Sequence, residues 1–155
     1  MDVLSRLEAI EDIKLLKARY FRAIDIRDRA LLRSILTEDA VVDYRGAATD
    51  PTTGINHVPS ATEAPIAGAD AIADSVMESL APLVSVHHGC MPEITVISDD
   101  RAEAIWPMTD RLQPREQGAF AEMIGWGHYF ETYEKSGGAW KIKTMRLTRL
   151  RVDVI

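Results

Sequence analysis

Two adjacent histidines are the residues of this sequence best suited to acid–base chemistry. His87 and His88 lie in a β-favouring run, so their side chains leave opposite faces of a strand and only one can enter a given pocket. The proton affinity of imidazole lies near neutral pH, which lets it accept a substrate proton and return it to a leaving hydroxyl. A lone strand histidine is ordinarily a core residue, so this interpretation requires an orienting carboxylate beside it.

Asp110 is the carboxylate that best meets this requirement. Alternate positions of the run 102–112 share one strand face, which is apolar except for Asp110. A carboxylate buried there is costly unless it is paired, and an imidazole on a neighbouring strand would pair with it. The competing interpretation is a salt bridge to Arg111 or Arg115 at the end of the strand, outside any pocket.

The first helix contributes two further candidates. Tyr20 lies on the apolar stripe of this helix, so its hydroxyl should point inward and either hold a substrate carbonyl or bond to the backbone as a core tyrosine. Asp25 lies at the C-terminal end, where a carboxylate opposes the helix dipole. This placement suggests that Asp25 binds a substrate hydroxyl or orients Tyr20, with a solvated charge as the alternative.

Arginines and aromatic residues near the C-terminus complete the set of polar candidates. Arg146 falls on the same side of the last predicted strand as Trp140, so it should point inward and pair with Asp25 or a substrate oxygen. Arg149 falls on the other face and should be solvated. His128, between two aromatic positions on its strand, is a further candidate for a pocket acid.

Metal and thiol chemistry have little support in the sequence. The four histidines show no spacing typical of a metal site, so no metal is expected. Cys90 is the only cysteine, which excludes an intrachain disulfide and is compatible with a reducing cytoplasm. It lacks an activating arrangement and receives no catalytic role.

Helices precede strands along the chain, which indicates an α+β layer rather than βαβ crossovers. Ser5 and Glu8 form a capping box that should begin a first helix ending near Asp25, and Asp28 should cap a second, short helix. A β-favouring run over 40–44 follows, with 37–39 breaking the second helix before it. The remaining prediction is a long loop over 46–65 that could serve as a lid, a third helix over 69–80, and strands over 84–97, 102–112, 120–134 and 140–152.

Five segments resemble proteins of the SnoaL-like family, in the nuclear-transport-factor-two-like superfamily, over nearly the whole chain. They are ARYFRAID (18–25), LTEDAVVDYRG (36–46), VHHGCMPEITV (86–96), GHYFETYEKSGGAWKI (127–142) and LTRLRVD (147–153). The resemblance implies one domain over 1–155, in which three helices close a cone-shaped, curved antiparallel sheet around one pocket. In this family the strand register places the pocket histidine at His87, although a bulge at Pro92 would reverse the alternation of side chains and favour His88.

Within this family the pattern is most similar to the dehydratases of scytalone and bile acids. It implies a cofactor-free lyase or isomerase for a mostly apolar, cyclic hydroxy-carbonyl substrate. His87 would act as base and then acid, Asp110 would orient it, and Tyr20 would polarise the carbonyl. The residues expected to contact or support the substrate are Asp25, Arg146, Trp106, His128 and His88. The alternative is a non-catalytic binding or assembly subunit similar to dioxygenase small subunits.

Charge and hydropathy narrow the expected partners. The net charge is −6 and the pI is about 5.2, which opposes binding to nucleic acid or anionic lipid. No apolar stretch has membrane-spanning length. We therefore expect a cytoplasmic protein with a small-molecule partner. Because related proteins form dimers or trimers, we also expect a homo-oligomer.

Overall fold

The computed structural model describes residues 1–58, 64–118 and 120–155. The helices are α1 (Val3–Ile26), α2 (Arg29–Ser34) and α3 (Ala69–Leu80). The strands are β1 (Leu36–Asp43), β2 (Ile66–Ala67), β3 (Leu83–Gly89), β4 (Glu93–Val96), β5 (Arg101–Pro114), β6 (Met123–Ser136) and β7 (Ala139–Val154). The predicted α+β class is confirmed.

Helix α1 packs one face into the core, and its two ends are defined by capping residues. Its Asp2 side chain accepts a hydrogen bond from the Ser5 backbone N–H at 2.8 Å. The N-cap is therefore Asp2, and the predicted capping box of Ser5 and Glu8 is wrong because both residues lie inside the helix. The helix ends at Ile26, and the C-cap Arg27 has a left-handed conformation (φ 61°) that turns the chain towards α2.

The curved sheet has the strand order β2-β1-β7-β6-β5-β3, and β4 also pairs with β5. All pairings are antiparallel except that of β1 with β7, which is parallel. The predicted strand over 84–97 is divided around Pro92, which cannot donate to the ladder. The predicted break at 37–39 is also wrong, because β1 already begins at Leu36.

Two irregularities in the β6–β7 ladder decide which residues of β7 face inward. The register shifts between Thr132 and Tyr133 and again between Trp126 and Gly127. Each shift places one extra residue in β7 and reverses the alternation of its side chains. The first shift turns Arg146 outward, where it is exposed, so the prediction of an inward Arg146 is wrong.

The helices cover only one face of the sheet. The other face keeps exposed apolar side chains, including Val84, Val86 and Phe130. The homo-oligomer that such a face favours stays a prediction. Among the described residues, no helix is both long and apolar enough to cross a membrane.

Candidate active site

A cavity of about 750 Å³ lies between the helices and the inner face of the sheet. Apolar side chains form most of its wall, including Ile24, Val76, Leu112, Met123 and Leu147. Its polar lining includes Tyr20, Tyr44, Glu78, His87, Asp110, Tyr129 and Arg149. The loop predicted over 46–65 contributes Ala47, Ala48 and Val58; residues 59–63 lie outside the described part, and its role as a lid stays a prediction.

The His87 imidazole is hydrogen-bonded to the carboxylate of Asp25, near the C-terminal end of α1. Its Nδ1 lies 2.6 Å from Asp25 Oδ1, and its backbone N–H donates to Asp25 Oδ2 at 2.9 Å. The His87 side chain is 6% exposed. Partial burial by itself would raise the pKa of Asp25, but the hydrogen bonds from His87 and Ser85 outweigh it and lower this pKa. Asp25 is therefore a carboxylate at neutral pH.

Arg27 fixes the end of α1 that carries Asp25. Its guanidinium donates to the carbonyls of Leu80 and Leu83, each at 2.7 Å, and to Ser85 Oγ at 2.9 Å. The Ser85 hydroxyl in turn donates to Asp25 Oδ1 at 2.9 Å. The carboxylate thus accepts bonds from two residues of β3, which restricts its rotation behind the imidazole.

Asp110 is directly opposite His87 in the β3–β5 ladder, so both side chains reach the same face. The distance between His87 Nε2 and Asp110 Oδ2 is 3.8 Å, which is too long for a hydrogen bond. Asp110 is instead paired with Arg149, whose two terminal nitrogens lie 3.0 and 2.7 Å from its oxygens. The hydrogen bond to the imidazole that the sequence suggested for Asp110 is made by Asp25 instead.

Arg149 is buried in the cavity wall, with 4% of its side chain exposed, so the prediction that it is solvated is wrong. The register shift near Thr132 turns it inward together with Leu147. Its Nε also donates to the Ala47 carbonyl at 2.6 Å. A Cβ added at Gly125 would overlap both Arg149 and Asp110, so only glycine leaves room for this ion pair.

Three tyrosines meet at the cavity. The hydroxyls of Tyr20 and Tyr44 lie 3.0 Å apart, and Tyr129 packs edge-on against the Tyr20 ring. Burial raises the pKa of Tyr20 and Tyr129 well above 10 and that of Tyr44 to about 12. All three are therefore protonated hydrogen-bond donors at neutral pH. Tyr44 could have been found from its alternation with the apolar Ala40 and Val42.

All five residues predicted to contact or support the substrate lie outside the cavity wall formed by the described residues, and Asp25 reaches it only through His87. His88 is exposed, and Arg146 and His128 lie on the outer face of the sheet, where His128 packs against Phe130. Trp106 points inward but donates to the Tyr133 hydroxyl at 2.8 Å within the core. Asp110 does not pair with Arg111, which binds Glu122 instead. In the described ranges, no group of three or more His, Cys, Asp or Glu side chains could hold a metal ion.

The helices and the curved sheet, with the cavity between them, have a fold of the nuclear-transport-factor-two-like class. A model of the SnoaL-like domain matches residues 5–146, and the chain belongs to that family. A Gibberella zeae protein named probable cyclase FGR4 is 34% identical over 58 residues, which are 37% of this chain and 39% of the relative. The match thus spans about four tenths of that relative's length.

Solved structures of other proteins share the fold. A scytalone dehydratase candidate from Novosphingobium aromaticivorans superimposes with a TM-score of 0.80 at 18% identity, covering 99% of this chain and 92% of that one. The hexachlorocyclohexane dehydrochlorinase LinA-type3 from Novosphingobium barchaimii has a TM-score of 0.76 at 18% identity, covering 99% and 94%. At these identities the likeness is one of architecture.

Proposed function

We propose that this protein is a cofactor-free lyase or isomerase that removes a proton next to the carbonyl of an apolar, cyclic hydroxy-carbonyl substrate. The observation that carries the proposal is the His87 imidazole in the cavity wall, with Nδ1 bound to Asp25 and Nε2 on the side of Asp110. The names of the relatives, a cyclase, a dehydratase and a dehydrochlorinase, support this kind of chemistry.

Asp25 selects the form of His87 that can act as a base. An ionised carboxylate has no proton to donate, so the short contact requires that Nδ1 carries the proton. The lone pair then lies on Nε2. A neutral imidazole in this tautomer can accept a substrate proton, and Asp25 stabilises the imidazolium that forms.

The tyrosines provide the complementary half of the reaction. When Nε2 takes the proton, the electron pair of the broken C–H bond moves into the carbonyl and creates an enolate oxygen. Tyr20 and Tyr129 both line the cavity, and a phenolic O–H can donate to that oxygen. The imidazolium then returns its proton to the β-hydroxyl as the C–O bond breaks, which releases water and leaves an unsaturated ketone.

The cavity wall favours a large apolar substrate. Its volume of about 750 Å³ lies within the range of small-molecule pockets, and Leu112, Met123 and Phe120 supply part of its apolar surface. The Asp110–Arg149 pair adds polar atoms without adding net charge. A neutral ring system with one carbonyl and one hydroxyl fits this distribution better than a charged metabolite does.

A panel of cyclic β-hydroxy ketones tests the proposal, with the absorbance of the unsaturated product as the readout. His87→Ala should abolish turnover, because no other described group occupies the place of Nε2. His88→Ala is the matched control, since the neighbouring histidine is exposed and should leave turnover unchanged. Turnover that survives in His87→Ala would overturn the proposal.

The second candidate function is binding or assembly without catalysis, as the exposed apolar side chains of the outer sheet face would suit. It predicts that the panel compounds bind, and that their binding weakens in acid, but that none of them is converted. Wild-type protein that binds these ketones and leaves them unchanged, including no exchange of their α-protons with deuterated solvent, would favour this candidate.

A further inference from the structure

A lysine is buried beside the cavity without lining it. Lys17 lies in the middle of α1, and its side chain is 1% exposed. Its ammonium lies 3.7 Å from the centroid of the Tyr129 ring and 4.2 Å from that of Tyr20, with Phe21 at 4.7 Å. Two of the three rings that surround this charge thus belong to tyrosines of the cavity wall.

The charge is balanced on the side away from the cavity. Lys17 forms an ion pair with Glu131, whose other oxygen accepts a hydrogen bond from the Tyr133 hydroxyl. That hydroxyl accepts from the indole N–H of Trp106 at 2.8 Å. Glu131 and Tyr133 lie beyond Tyr129 along β6 and do not line the cavity, so the pair directs its positive end towards it.

We propose that Lys17 is a positioning residue that strengthens Tyr20 and Tyr129 as hydrogen-bond donors to a developing oxyanion in the cavity. This inference rests on the proposed function of the same site. As a phenol donates more strongly, its ring gains electron density, and a cation over the ring face stabilises that density. Folding stability alone gives no reason to keep the pair, because buried ion pairs are often replaced by apolar residues without loss.

The effect can be measured on a bound phenol without any turnover. The probe is 4-nitrophenol, whose coloured phenolate resembles an enolate and whose ionisation is read from absorbance in the complex. Loss of both charges, in Lys17→Met/Glu131→Gln or in Lys17→Met if the unpaired Glu131 takes up a proton, should raise the apparent pKa of the bound probe by about half a unit, and loss of the ammonium alone should raise it further. This estimate takes the ammonium as roughly 3 Å closer to the probe than the carboxylate, in an effective dielectric constant of about 20.

Three further variants separate electrostatics from packing. Lys17→Arg keeps the charge and should keep the wild-type pKa of the bound probe. The double variant Lys17→Met/Glu131→Gln restores a neutral, hydrogen-bonded core, so it should recover stability in urea unfolding while the probe pKa stays raised. Lys14→Met removes an exposed charge three residues earlier on α1 and should change neither quantity.

A double variant whose bound probe returns to the wild-type pKa as stability returns would overturn the inference, because packing alone would then explain the effect. Equal probe pKa values in wild type and Lys17→Met would overturn it as well. Since the readout is probe ionisation, ketone turnover that fails while the probe responds contradicts only the proposed reaction. If the pKa of the bound probe does not change in Lys17→Met while ketone turnover is normal, only the role of Lys17 is contradicted.

Discussion

Replacing Arg149 with methionine would leave a charge without its partner inside the cavity wall. Asp110 is 3% exposed and receives both of its charged hydrogen bonds from Arg149. Removing one partner of a buried ion pair costs about 3–5 kcal/mol, because the remaining ion cannot regain its hydration. The Ala47 carbonyl also loses its donor. We therefore expect the free energy of unfolding to fall by about 3–5 kcal/mol at pH 7.

Urea unfolding, followed by tryptophan fluorescence, measures this loss. The matched control is Arg151→Met, since Arg151 lies two residues further along β7 and its side chain is 64% exposed. It pairs with Asp153 at the surface, and such pairs contribute about 0–1 kcal/mol. The two substitutions remove the same group from the same strand, so the difference between their losses in free energy of unfolding measures the effect of burial.

Removing the stranded carboxylate should reduce the cost in the variant. The double variant Arg149→Met/Asp110→Asn should recover part of the loss at neutral pH, because no unpaired charge is then left in the cavity wall. Equal costs for Arg149→Met and Arg151→Met would refute the buried pair, and so would a double variant that recovers none of the loss.

Three further predictions test the residues that support the site. The pKa of Asp25 is lowered in the folded protein, so its carboxylate stabilises the fold above the unfolded pKa of 3.8 and this stabilisation is lost as the pH falls below 3.8. In urea unfolding, the difference in stability between wild type and Asp25→Asn should therefore close in acid. Gly127→Ala should cost at least about 2 kcal/mol in thermal melts, because the new Cβ would overlap the Thr148 carbonyl, whereas Gly118→Ala meets only ordinary contacts. Asp25→Asn should also lower kcat on any converted ketone by roughly 100-fold or more, with KM nearly unchanged, because the amide can hold the wrong imidazole tautomer.

The sequence predicted most of what depends on local periodicity. Helix α3 has the predicted bounds, and α1 carries Tyr20 on its buried face because apolar residues recur there at three- and four-residue steps. The alternation in β5 identified Asp110 as an inward carboxylate, and the adjacent strand brings His87 opposite it. These placements follow from patterns contained within single elements.

What the sequence could not predict depends on contacts between elements. The inward turn of Arg149 and the outward turn of Arg146 follow from a bulge in β7, which strict alternation does not include. The contact of Asp25 with His87 depends on how the end of α1 docks on β3, where Arg27 binds carbonyls far away in the chain. Gly125 and Gly127, on either side of Trp126, were the indication in the sequence that the β6–β7 ladder is irregular.

The central claim is that Asp25 holds His87 with its proton on Nδ1 and its lone pair on Nε2. Nitrogen-15 NMR of the histidine side chains measures this directly, with the His87 resonances assigned by their loss in His87→Ala. At a pH where the imidazole is neutral, we predict a protonated Nδ1 and an unprotonated Nε2, and a change in this pattern in Asp25→Asn. A neutral His87 with its proton on Nε2 would contradict the account.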